Sequence, residues 1–224
     1  MLRVILMISI ILSSTILMLP LTNDNAFAGK EKPHLFSPYL SKILGAKWWQ
    51  WALEIPEPKN PLIDANPCNV NQHGYFFFLA GTLGGDPAER TCTIPKGKAI
   101  FFPVYNYFST FGPQPPAAGP IINLQEAIKI VRGNVNQATN LKATVDGVNI
   151  KVDSKLRSLT RVFEFTFPAD NIYGDPALAA HYKAIADGYW VGLNPLRPGN
   201  HEISFSSDGP GGFRTDVTYH ITVQ

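Results

Sequence analysis

Between residues 213 and 223 the chain alternates without a fault. Phe213, Thr215, Val217, Tyr219, Ile221 and Val223 fall on one side, and Arg214, Asp216, Thr218, His220 and Thr222 on the other. A period of two sustained over a full strand length puts one face in a core and leaves the other toward solvent. A chain that carries it must build a sheet. Upstream, beyond the turn Asn194-Pro195-Leu196-Arg197-Pro198-Gly199, His201, Ile203 and Phe205 share a face of another strand. In a hairpin turning at about 207–212 the two in-facing sets must meet, so His201 and His220 fall on opposite faces and share no metal there.

The same punctuation recurs through the chain. Residues 75–80, 90–94 and 98–105 are rich in aromatic and β-branched side chains and are bounded by Gly81, Gly84-Gly85, Pro95 and Gly97, so each reads as a strand. Phe76 to Leu79 and Ala99 to Phe102 are apolar on both faces, the mark of strands covered on both sides. Asp146-Gly147 suits a two-residue turn, and pairing Val145 with Val148 sets Ala143 against Ile150 and Leu141 against Val152, with every apolar residue on one face. Phe163, Phe165 and Phe167 alternate in a further strand that Pro168 ends.

Helices are fewer. Ser37-Pro38 reads as an N-cap with proline at the first helical position, and Leu40, Leu44, Trp48, Trp51 and Ile55 recur at helical steps, predicting a helix over about 38–54 that stops before Pro56. Asn123 and Glu126 form a capping pair for a second helix, with Gly133 just past its end. Asp175-Pro176 predicts a third, alanine-rich helix over about 177–186, after which Asp187-Gly188 turns the chain into Tyr189 to Leu193. Four prolines and two glycines within 111–120 make that stretch a loop and the best internal boundary. The fold class expected is mainly β: an antiparallel β-sandwich, jelly-roll or immunoglobulin-like, with two or three short helices, forming a single domain over 29–224.

The N-terminus sets the compartment. Arg3, an apolar run over 4–21 and the small-x-small tripeptide Ala26-Phe27-Ala28 read as a signal peptide over residues 1–28. No second apolar stretch follows, so no membrane span is expected after cleavage. Cys68 and Cys92, an even count in an exported chain, read as one disulfide. The formal net charge of +2 predicts no steering toward nucleic acid. All three Met residues lie in the signal, which disfavours a copper site with an axial Met.

The strings WWQWALEIPEPKNP, RTCTIPKGKAIFFPVYN, ATVDG, DGYWVGLNPLRPGNHEISF and DVTYHITV, taken with the cysteine pair, resemble a family of uncharacterised exported proteins of bacteria and archaea. The resemblance spans about 48–223. Its motifs are glycines, prolines and core aromatics, so it implies membership and a fold, and carries no catalytic residue with it. LNPLRPGNHEISF is also similar to the turn-plus-strand of many immunoglobulin-like and fibronectin-like sandwiches.

Chemistry is sparse. GxSxG, HExxH, GxxxxGK[ST], EF-hand and GxGxxG strings are missing. Trp49, Glu54 and Glu57 are the candidate ligand-binding group, an aromatic beside an acidic pair. Asp208 and Asp216, around Ser207-Asp208-Gly209-Pro210-Gly211-Gly212, offer oxygens of the kind calcium takes, and His73 with His34 is the remaining zinc idea. No cofactor is expected unless calcium binds. The sequence therefore points to an exported, extracytoplasmic protein with a non-catalytic binding or surface-structural role. A glycan or cell-surface component is the partner expected, and a secreted carbohydrate hydrolase, needing only two carboxylates brought together in space, is the alternative.

Overall fold

The computed structural model describes Pro33, Leu35 and residues 37–63 and 68–224; the signal read over 1–28 and His34 lie outside the described residues. Ser37 accepts a hydrogen bond from the Tyr39 amide, and Pro38 opens a single 3-10 turn, Pro38–Leu40, that feeds helix α1, Ser41–Glu54. Ile55, ahead of Pro56, is already extended at φ −83°, ψ 122°, because the proline ring clashes with a helical residue before it. Asn60 Nδ2 then donates to the carbonyls of Ala52 and Ile55, both at 2.7 Å, and satisfies groups that the helix end leaves open.

The strands follow as β1 (Phe76–Phe78), β2 (Ala88–Ile94) and β3 (Ala99–Phe111), then helix α2 (Leu124–Val135). Next come β4 (Thr139–Val145), β5 (Val148–Asn149), β6 (Arg157–Leu159), β7 (Phe163–Thr166), β8 (His181–Leu193), β9 (Gly199–Asp208) and β10 (Arg214–Val223). The protein is mainly β. One five-stranded sheet runs β1-β3-β8-β6 with β7 also on β8, and the other runs β2-β10-β9-β4-β5. Most pairs are antiparallel, but β1 lies parallel to β3 and β2 parallel to β10, which corrects the expectation of wholly antiparallel sheets.

The two sheets face each other across one apolar layer. Phe77, Ile100, Phe102, Val104 and Val191 of the β3–β8 sheet meet Ile94, Ile203, Phe205, Val217 and Tyr219 of the β9–β10 sheet. On the opposite side of the β3–β8 sheet, Phe101, Phe165, Tyr182 and Trp190 pack with Trp48, Trp51 and Leu53 of α1. Alternation along β3 decides this, since Phe101 points one way and Ile100 and Phe102 the other. Where β3 and β8 run on past the second sheet, α2 covers them with Ala127 and Val131 against Ile185.

Three local expectations need correction. Residues 177–186 are not a helix: only the 3-10 turn Pro176–Leu178 forms, and β8 begins at His181. The alanines there sit in β8 because Ala184 and Ala186 face the crowded α1 side, so packing overrides local preference. Asp187-Gly188 is not a turn, since both residues lie inside β8 opposite Tyr107 and Asn106 of β3. Helix α2 continues through Gly133 to Val135.

Other readings match the structure. Asn123 and Glu126 form the capping box of α2, and Val145 lies opposite Val148 at the Asp146-Gly147 turn. His201 is buried and His220 exposed on opposite faces of their sheet. Cys68 and Cys92 are bridged, with Cα atoms 5.8 Å apart. That bond indicates an oxidising, extracytoplasmic environment.

Candidate functional site

Between Pro103 and Tyr105 the register of β3 on β8 shifts, an irregularity of the kind that re-aims side chains beside functional sites. Before it β3 is buried on both faces. After it Asn106, Phe108, Ser109 and Thr110 are half-buried and Tyr107 is exposed. This stretch lines a cleft of about 500 Å³, a volume typical of small-ligand sites.

Separate parts of the fold complete the cleft. Trp48 and Trp49 come from α1, and Asn134 from α2. The turn between β9 and β10 brings Pro210 and Phe213, and the β1–β2 connection brings Thr82 and Leu83. Phe167, Tyr173, Leu178 and Tyr182 come from the segment running from β7 into β8. The accessible aromatic surface is supplied chiefly by Tyr107 and Tyr173, 39% and 51% exposed. Among the described residues, the lining contains no Asp, Glu, His, Lys or Arg.

Tyr105 is fixed from three directions. Its hydroxyl donates to Asn134 Oδ1 at 2.7 Å, and its ring meets Phe213 edge-on at 5.8 Å. A Cβ on Gly209 would fall 2.6 Å from that hydroxyl oxygen, so only glycine lets the β9–β10 turn close on the ring. Burial, followed by the neighbouring Tyr107, pushes the Tyr105 phenol up to about 12. Tyr173 is raised to about 12 for the same reasons in the same order. Its ring meets Phe167 edge-on at 5.7 Å, a crowded side on which a phenolate would be poorly solvated.

The hydrogen-bond capacity of the cleft is unevenly used. Tyr182 Oη donates to Leu178 O at 2.7 Å, and the hydroxyls of Thr82 and Thr215 bond each other at 3.0 Å. Trp48 Nε1 donates to Leu79 O at 2.9 Å, and Trp51 Nε1 to Val70 O at 2.8 Å. Trp49 Nε1 and Asn106 Nδ2 are buried without a partner among the described residues. Native interiors rarely leave such donors unmet.

Of the candidate ligand-binding residues, Trp49 alone reaches this cleft. It is only 7% exposed, with its ring 4.5 Å from that of Phe108, so little of its face is open for stacking. Glu54, at the end of α1, accepts from the Thr166 amide at 3.2 Å. The Glu57 amide donates to Asp170 O at 2.8 Å. Neither carboxylate lines the cleft.

Asp208 and Asp216 share the outer face of the β9–β10 hairpin, opposite Arg214 and Ser206 respectively. Asp208 accepts from Asn140 Nδ2 at 2.6 Å, and Asp216 from Arg214 Nη2 at 2.8 Å. Among the described residues, no group of three or more His, Cys, Asp or Glu is gathered to hold a metal ion. His73 is exposed.

Sequence reasoning missed Asn106, Tyr107 and Tyr173. The usable signal was the change at Asn106, where the apolar run of β3 gives way to a mixture of polar and aromatic residues, Asn106-Tyr107-Phe108-Ser109-Thr110-Phe111. No family model matches this chain, and neither a curated protein nor a solved structure matches it. Among the described residues, no helix is long and apolar enough to cross a membrane.

Proposed function

We propose that this is an exported, non-catalytic binding protein, secreted or held at the cell surface, that takes a neutral carbohydrate into the Tyr107–Tyr173 cleft. The observation that carries the reading is the make-up of the lining: aromatic surfaces interleaved with tyrosine, serine, threonine and asparagine groups, and no charged side chain among the described residues. Sugar rings present apolar C–H faces and a rim of neutral hydroxyls, so aromatic planes and uncharged polar groups complement both. An ionic ligand would find no counter-charge there, and burying it unpaired would be costly.

A carbohydrate hydrolase needs two carboxyl groups about 5–10 Å apart across the scissile bond. The lining supplies neither, which favours binding over turnover. The two facing sheets are read as a β-sandwich of jelly-roll or immunoglobulin-like type, a scaffold that hosts many unrelated functions through the sites grafted on it. Calcium at Asp208 and Asp216 is not needed by this reading, and Arg214 already occupies Asp216.

Titration calorimetry of the protein against neutral oligosaccharides tests the reading. Saturable binding that is lost in Tyr107→Ala and Tyr173→Ala, each still folded by circular dichroism, is expected. Binding unaffected by both substitutions would place the ligand elsewhere, and hydrolysis of the oligosaccharide would overturn the non-catalytic role.

A further inference from the structure

We infer that the cleft selects acetamido sugars, with Trp49 Nε1–H and Asn106 Nδ2–H as the donors that read the N-acetyl carbonyl; this rests on the carbohydrate reading above. The starting point is an imbalance. The hydroxyls of Tyr105, Tyr182, Thr82 and Thr215 are already engaged within the protein, whereas Trp49 and Asn106, the two residues of the lining with a buried unpaired polar atom, each leave an N–H donor unmet. An indole N–H can only donate. A ligand complementary to this cleft must therefore bring acceptors.

The contrast among the three tryptophans of α1 sharpens the point. Trp48 and Trp51 each reach a backbone carbonyl, so the fold meets the need of an indole wherever it can. Trp49 lines the cleft, is more than nine-tenths buried and has no partner among the described residues. Asn106 lies opposite Gly188 in the β3–β8 pair, where a Cβ on Gly188 would sit 2.7 Å from the Asn106 Cβ. Its position is thus fixed by close strand packing and not by a hydrogen bond of its amide nitrogen.

A sugar hydroxyl carries its donor and its acceptor on one oxygen, whereas an acetamido group separates them, its N–H donating and its carbonyl oxygen only accepting. An amide carbonyl brings two lone pairs and no competing proton on the oxygen. Its methyl group suits the surroundings of Trp49, where the Phe108 ring lies 4.5 Å and the Trp48 ring 5.0 Å away. The acetamido group is neutral, in keeping with the uncharged lining.

The test compares chito-oligosaccharides with cello-oligosaccharides of equal length, which differ in the 2-acetamido group, by titration calorimetry on the protein with its disulfide intact. Chito-oligosaccharide is expected to bind at least about tenfold tighter, the effect of one or two hydrogen bonds in a dry site. Trp49→Phe, which removes the N–H and keeps a ring, and Asn106→Asp, which replaces the donor by an acceptor, are each expected to reduce that ratio toward one. The ratio is the informative readout, because a merely structural defect weakens both ligands together. Equal affinity for the two sugars, or a ratio unchanged in both variants, overturns the acetamido inference and leaves the carbohydrate reading standing. Binding of neither sugar overturns the carbohydrate reading and this inference with it.

Discussion

The guanidinium of Arg90 donates through Nη1 to the hydroxyl of Tyr219 at 2.7 Å, joining two residues that lie side by side in the parallel pairing of β2 with β10. The hydroxyl also donates to Ala80 O and accepts from Ala80 N, both at 3.0 Å. Arg90 itself reaches Ala80 O and Gly81 O, so the two side chains pin the β1–β2 connection that leads to the cleft. Tyr219→Phe leaves buried donors unmet and should cost about 1–3 kcal/mol. Tyr219→Ala also empties a core position and should cost about 3–5 kcal/mol. Thr218→Ala, on the other face, should cost under about 1 kcal/mol. Urea denaturation of the three variants ranks them, and a Thr218 loss equal to that of Tyr219→Ala would refute the register.

Gly188 is required by the closeness of β3 and β8. A Cβ there would meet Asn106 Cβ at 2.7 Å and the Tyr105 carbonyl oxygen at 2.8 Å, and a backbone atom in a paired strand cannot swing aside. Gly188→Ala should destabilise by about 1–3 kcal/mol, the usual effect of overpacking. Gly133→Ala is the control, because open space surrounds its Cβ position and helix preference favours the change. Equal loss in both variants would rule out the close approach.

The phenols of Tyr105 and Tyr173 should titrate late. Both are raised from 10.0 to about 12 in the fold, chiefly by burial and then by Tyr107. A group whose folded value lies above its unfolded one gives its full stabilisation below the unfolded value and loses it as pH climbs through the folded value. Stability should therefore hold up to about pH 10 and decline between about 10 and 12. Phenolate absorbance should resolve a late component that shrinks in Tyr105→Phe and vanishes in urea. A single transition near 10 in the native protein would contradict the crowding described for the cleft.

Reduction of Cys68–Cys92 should lower stability by about 3–4 kcal/mol, the loop-entropy value for a bridge of this span. Intact mass after alkylation without reductant should show no labelled thiol, and urea curves with and without reductant give the loss. A midpoint indifferent to reductant would mean that the coil around Cys68 is held by other contacts alone.

The strands were largely legible where one face is dry. The alternation of 213–223 and the Val145–Val148 turn lie at a half-buried layer, where pattern and burial agree. The reading failed at 177–188, where Ala184 and Ala186 are small because α1 presses on β8, a cause that sits far away in the chain. Asp187 gave no local sign that it would accept from Arg157 at 2.6 Å inside a strand. The cleft was harder still: Asn106, Tyr107 and Tyr173 come together only through the register shift in β3 and the path from β7 into β8. The tryptophans were conspicuous, yet the accessible rings are tyrosines.

The pairing of β2 with β10 also has a temporal side. Arg90 and Tyr219 are 129 residues apart, and β10 lies between β2 and β9 in its sheet. Contacts this distant form slowly, and until β10 arrives β2 presents an open strand edge prone to wrong partners. The disulfide at Cys92 gives β2 an earlier anchor, because Gln72, four residues beyond Cys68, already holds the Phe78 amide of β1. Oxidation before the last strand docks would keep the waiting edge tethered beside β1 of the facing sheet and out of reach of another molecule's.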